Sequence, residues 1–298
     1  MPGLPARDRC LVMGILNVTT DSFSDGGYYS TTERAVAHGL DLARQGADII
    51  DIGGESTRPG ANRVPVDLEL RRVLPVIREL SATGVCISVD TTRARVADAA
   101  LAAGAQAVND VSGGLADPEM ARTIAAARMP YFAMHWRGQS ATMNRNAVYR
   151  DVVQDVMVEL GQRMWHLTAA GVDPDLVVLD PGLGFAKTPE HNWHLLTRLS
   201  ELHGLGRPVL IGASRKSFLS NLLMSSNSVL PARERDAASV AVATMAAAAG
   251  AYCVRAHDVR ATLQAVLVVK HWFGIDGHDH SGAALASQRT VDRIGVKL

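Results

Sequence analysis

The stretch VCISVDTTRARVADAALAAGAQAVNDVSGG, from Val85 to Gly114, decides the fold. A short apolar run, Val85 to Asp90, gives way to a segment of helical period, Arg93 to Ala102, and then to a second apolar run, Ala107 to Asp110. Strand, helix and strand in that compass read as one βαβ unit, whose strands lie parallel because the helix carries the chain back across the sheet. Both strands finish on polar side chains, Asp90 and Asn109 with Asp110, at the same end.

The same rhythm continues in both directions. Toward the N-terminus lie apolar runs at Cys10 to Asn17 and Asp48 to Gly53; toward the C-terminus they recur at Pro130 to His135, Leu176 to Asp180, Pro208 to Gly212 and Ala251 to Arg255. Helical segments fill the gaps at Thr32 to Gln45, Asp67 to Ala82, Pro118 to Ala127, Val148 to Ala170 and Pro189 to Leu202. Further helix is expected from Arg215 onward through an Ala-rich stretch, and from Asp258 to Trp272. Eight βα units predict an α/β fold, a single (β/α)8 TIM barrel. A doubly wound open sheet is the alternative, but no GxGxxG follows the first strand. The strand ends favour the barrel: Asn17, Glu55, Asp90, Asn109, His135, Asp180, and Arg255 with His257 all fall at one rim, where barrel enzymes place their chemistry. The barrel domain is expected over residues 1–273. Residues 274–298 lack an apolar period and read as a C-terminal tail, whose HDH run at His278 to His280 is read as solvated rather than metal-binding.

Composition narrows the function. Of 298 residues, 47% are hydrophobic and 20% charged, enough for a large core. Thirty Lys plus Arg balance thirty Asp plus Glu, which argues against nucleic acid or an anionic membrane as partner. Cys10, Cys86 and Cys253 each sit in an apolar run with no metal-ligand spacing, and are expected to be buried reduced thiols. The N-terminus lacks a signal-peptide pattern, and the stretch Ala237 to Gly250 is too short to span a bilayer, so a soluble cytoplasmic protein is expected.

The rim segments carry the chemistry. MGILNVTTDSFSDGG after the first strand offers Asn17, Asp21, Phe23, Ser24 and Asp25 and reads as a lid, or more simply as a capping turn for the next helix. DIGGESTRPGA pairs flexible glycines with Arg58, a fork suited to carboxylate or phosphate; pairing of Arg58 with Glu55 in a tight turn is the structural alternative. Asp90, Asn109 and Asp180 would crowd one barrel mouth, where an N–H-rich heterocycle satisfies them and a divalent metal is the rival occupant. LDPGLGFAKT adds Phe185 as a ring-stacking surface, and IGASRKS brings Arg215 and Lys216 to a helix start that favours an anion or polar ring. Arg255 and His257 share strand parity and could face one anion. His135 is read as lining the pocket.

Taken in order, MGILNVTTDSFSDGG, DIGGESTRPGA, SVDTT, VNDVSGG, LDPGLGFAKT, GASRKS and RAHDV resemble the motifs of bacterial dihydropteroate synthases, from about Met13 to Val259. The resemblance implies a transferase of folate biosynthesis that condenses p-aminobenzoate with 6-hydroxymethyl-7,8-dihydropterin pyrophosphate. It implies Asp90, Asn109, Asp180, Lys216 and Arg255 at the pterin, Asn17, Arg58 and His257 at the pyrophosphate, and Mg²⁺ held through Asn17. It puts Thr57, Arg58, Phe185, Ser217 and Phe23 near p-aminobenzoate, and counts Asp90, Lys216, Arg255 and Asp25 as catalytic. A homodimer through late helices and competition by sulfonamides are further implications. One departure is Thr20, which stands where the common form of the first loop has Pro and frees φ there. A methyltetrahydrofolate:corrinoid methyltransferase type of barrel, a Schiff-base aldolase using Lys216, and an inactive pterin-binding paralogue are the rivals.

Overall fold

The computed structural model describes residues 1–6, 8–19, 28–56, 63–138, 143–223 and 230–274. Its strands are β1 (Leu11–Asn17), β2 (Ile49–Gly53), β3 (Ile87–Asp90), β4 (Ala107–Asp110), β5 (Tyr131–Met134), β6 (Val177–Asp180), β7 (Leu210–Ile211) and β8 (Cys253–Ala256). They form one eight-stranded sheet in the order β6-β5-β4-β3-β2-β1-β8-β7, every pairing parallel. A parallel bridge between Leu179 and Val209 joins β6 to β7 and closes the ring, which rules out the open sheet. The fold is a (β/α)8 TIM barrel.

The helices are α1 (Tyr28–Arg44), α2 (Val66–Ser81), α3 (Ala94–Ala102), α4 (Met120–Ala127), α5 (Val152–Ala169), α6 (Pro189–Thr197), α7 (Leu199–Leu202), α8 (Ser217–Leu223), α9 (Asp236–Ala248) and α10 (Val259–Gly274). Three expected helices are corrected by local chemistry. α5 starts at Val152, not Val148, because the Asp151 carboxylate accepts from the N–H groups of Val153 and Gln154 and so caps it there. The segment from Pro189 to Leu202 is two helices that meet at Arg198. The long helix expected from Arg215 is divided into α8 and α9, and Pro231, extended at ψ 146°, lies between them.

Strand side chains alternate between the lumen and the helical shell. Leu11, Met13, Ile49, Phe132, Val178, Leu210 and Cys253 plug the lumen toward the strand N-termini. Val12, Leu16, Ile50, Ile52, Val89 and Val108 face outward and pack against the helices. Above the plug the lumen turns polar, with Asp51, Ser88, Asp90, Asn109 and Asp180 all buried. Cys10 and Cys253 are buried and in no disulfide, as expected, whereas Cys86, ahead of β3, is only half-buried.

Candidate active site

The polar layer is built by strand register. Asn17 pairs with Gly53, Gly53 with Asp90, and Asp90 with Asn109, so four strands bring one rung to the rim. Gly53 leaves that rung open, since a Cβ there would lie 3.6 Å from Asp90 Oδ2. Across the mouth a Cβ on Gly212 would fall 3.8 Å from Arg255 Cβ and 3.9 Å from Asp180 Oδ2, so β6, β7 and β8 converge on the same space. Asn17, Asp90, Asn109, Asp180, Arg255 and, through Ser214, His257 therefore share one rim.

Arg255 organises the inner end of this space. Its Nε donates to Asp51 Oδ2 at 2.6 Å and its Nη2 to Asp90 Oδ2 at 2.8 Å. Asn109 Nδ2 donates to the same Asp51 oxygen at 2.9 Å, which fixes which way its amide points. Burial pushes the Asp90 carboxyl up to about 7, with the Arg255 charge only partly offsetting it. Asp180 is likewise raised by burial, although Lys216 opposes the shift and Gly182 N–H donates to its Oδ1 at 2.7 Å. Burial lowers Lys216 to about 8. Its Nζ bonds the carbonyl of Leu183 and lies 4.8 Å from the centre of the Phe185 ring.

Other residues fall differently. Arg215 adopts φ 58° and turns away, its Nε and Nη2 bound to the Asp236 carboxylate at 2.6 and 2.8 Å, so of the Arg215–Lys216 pair only Lys216 faces the mouth. Arg255 and His257 do not face one anion together. The guanidinium turns inward to Asp51 and Asp90, whereas His257 Nδ1 sits 3.0 Å from Ser214 Oγ. Ser217 opens α8 and is exposed. Phe23, Asp25, Thr57 and Arg58 lie outside the described residues, as do Thr20 and the HDH run. The Glu55 carboxylate is bonded by Arg63 at 3.2 Å and by Arg93 at 3.0 Å. Among the described residues no three His, Cys, Asp or Glu side chains gather as a metal site, and Asp90 is bonded by Arg255.

This geometry agrees with what the chain resembles. The family model described as "Pterin binding enzyme" matches residues 13–257. A dihydropteroate synthase of Mycobacterium leprae is 52% identical over 263 residues, 88% of this chain and 93% of that relative. The chain belongs to the dihydropteroate synthase family of pterin-binding enzymes. Among solved structures it is similar to a dihydropteroate synthase of Xanthomonas albilineans with 4-aminobenzoic acid, at TM-score 0.83 and 45% identity, covering 91% of this chain and 95% of that one. The same Xanthomonas enzyme in complex with 7,8-dihydropteroate gives TM-score 0.80 and 42% identity, covering 91% and 95%.

Sequence reasoning passed over Asp51. A carboxylate inside the run IIDIG was a signal, because parallel strands are buried on both faces and an acid there needs a partner. It also passed over Lys187, which is buried, and Tyr149, whose partners come from other elements.

Proposed function

We propose that the chain is a dihydropteroate synthase, which joins p-aminobenzoate to 6-hydroxymethyl-7,8-dihydropterin pyrophosphate and releases pyrophosphate. The observation that carries this reading is the pair of buried carboxylates, Asp90 and Asp180, opening with Asn109 onto one mouth in a member of this family. An N–H-rich ring edge repays the desolvation of those acids, and the Lys216 ammonium can donate to a ring oxygen or nitrogen.

In the reaction the bond from the pterin methylene carbon to oxygen breaks and pyrophosphate leaves with the electron pair. The ring delocalises the cation, the aniline nitrogen donates its lone pair to that carbon, and one N–H proton passes to solvent water. No side chain acts as nucleophile. Asp90, held beneath by Arg255, stabilises the developing positive charge, and Arg58 and His257 are assigned to receive the anion. Asn17 would hold Mg²⁺ through its amide oxygen, a hard neutral donor of the kind that ion accepts, and the ion would offset pyrophosphate charge. Thr57, Arg58, Phe185, Ser217 and Phe23 are assigned to p-aminobenzoate, and Asp25 to catalysis.

Sulfonamides, which share the aniline ring, are expected to compete for that slot. A homodimer through the late helices is consistent with the exposed Met245, Val268 and Trp272 of α9 and α10. The deciding assay mixes purified protein with Mg²⁺ and both organic substrates. Pyrophosphate should appear only when both are present; release with either one alone, or with neither, overturns the reading.

A further inference from the structure

The loop between β6 and α6 is held at nearly every peptide by a different side chain. Gly182 N–H donates to Asp180 Oδ1 at 2.7 Å and Gly184 N–H to Asn192 Oδ1 at 2.6 Å. Lys216 Nζ bonds the Leu183 carbonyl, Lys187 Nζ donates to the Phe185 carbonyl at 3.0 Å, and Tyr149 OH donates to the Ala186 carbonyl at 3.0 Å. Gly182, at φ 71°, passes so close to β5 that a Cβ would meet the His135 carbonyl oxygen at 2.5 Å. Ala186 holds φ 49°, a conformation that costs a residue with a Cβ about 1 kcal/mol or more and persists only where the surroundings enforce it.

The last two anchors belong to a closed circuit that the pterin chemistry does not use. Lys187 Nζ lies 3.0 Å from His135 Nδ1, and His135 Nε2 lies 2.9 Å from Glu159 Oε2. Because Nδ1 accepts from the lysine, Nε2 carries the hydrogen and donates it to the carboxylate. Arg137 Nε donates to both Glu159 oxygens, at 3.0 and 3.1 Å, and its guanidinium carbon lies 3.8 Å from the centre of the Tyr149 ring. Tyr149 then returns to the loop at Ala186. The circuit thus links the end of β5 and α5 to two successive carbonyls, those of Phe185 and Ala186, that fix the backbone carrying the Phe185 ring.

The charges suit this task. Burial lowers His135 to about 4, so it stays neutral and keeps Nδ1 as an acceptor. Burial lowers Lys187 to about 7, yet even an uncharged amine has two N–H groups, matching its two acceptors. Glu159 lines an open cavity of about 410 Å³ beside α5 and remains anionic, its burial outweighed by the bonds from His135 and Arg137.

We propose that Lys187, His135 and Tyr149 are positioning residues, a brace that fixes the Phe185 ring as one wall of the p-aminobenzoate slot. The inference rests on the assignment of that slot, so its test carries a benchmark. Steady-state kinetics on the full chain should show Phe185→Leu raising KM for p-aminobenzoate. Lys187→Met, which keeps length and bulk, should raise the same KM about tenfold while KM for the pterin substrate changes less than about threefold; Tyr149→Phe should act in the same direction by about threefold.

If Phe185→Leu leaves that KM unchanged, the slot assignment itself fails, and the brace with it. If Phe185→Leu raises it but the other two variants stay within about twofold, or raise both KM values equally, the brace is overturned and the slot stands. Should Lys187→Met not fold, Tyr149→Phe decides alone, because it deletes one hydroxyl from a half-buried ring and leaves the packing.

Discussion

Asp48 and Asp90 are aspartates at opposite ends of the same barrel, and they are treated in opposite ways. Asp48, just before β2, receives Arg9 through both oxygens at 2.6 and 2.8 Å and the Val12 N–H at 2.7 Å. Asp90, at the far end of β3, shares the single guanidinium of Arg255 with Asp51, whose Oδ1 is buried without a hydrogen bond. The floor is a satisfied ion pair under an apolar plug; the rim is an under-compensated cluster of charge. An enzyme keeps such a cluster because a ligand completes it, so the rim trades stability for binding while the floor does the reverse.

The largest effect expected from this contrast is on turnover. Asp90→Asn should lower kcat about 10²–10³-fold, the scale for removing one preorganised electrostatic contact, while its urea midpoint at pH 8 stays level or rises. The midpoint holds because Arg255 retains Asp51 as partner and one buried charge is gone. Unchanged kcat would remove Asp90 from the charge-stabilising role. Leu11→Ala at the plug should do the converse. It should destabilise by about 3 kcal/mol, as expected for a leucine 1% exposed, and leave kcat per folded molecule within about twofold. A large kcat loss in that variant would show that the plug and the rim are not independent.

The same contrast explains how much was legible beforehand. The barrel was readable because apolar runs such as Leu11 to Leu16 and Tyr131 to Met134, buried on both faces, leave uninterrupted signals, and because a polar residue at the strand end breaks them at one side only. Asp90, Asn109 and Asp180 could be placed together because each stands at the end of an apolar run, and parallel strands bring those ends to one rim. What failed was partner choice. Arg215 and Lys216 are adjacent in sequence, yet a positive φ at Arg215 sends it to Asp236, and no local pattern marks that turn. Lys187, His135 and Tyr149 were invisible as a group because their circuit joins three segments whose proximity exists only once the barrel closes.

A smaller effect, about tenfold per pH unit, separates the two ends by titration. In the free enzyme Asp90 becomes charged as pH rises through about 7, burial having raised it, while Lys216, lowered by burial, loses its charge above about 8. If both charges serve the pterin substrate, its kcat/KM should climb tenfold per unit up to about pH 7 and decline beyond about 8. Substrate ionisation and Lys187, also near 7, contribute to any such profile, so the informative quantity is the ratio of wild type to Asp90→Asn. Those contributions cancel in the ratio, which should rise with pH to about 7 and then level, the carboxylate helping only once ionised. Asp48→Asn should show no such trend, because its charge serves the floor. A wild-type to Asp90→Asn ratio that is flat from pH 5 to 9 would mean that the ionised form of Asp90 is not what the substrate meets.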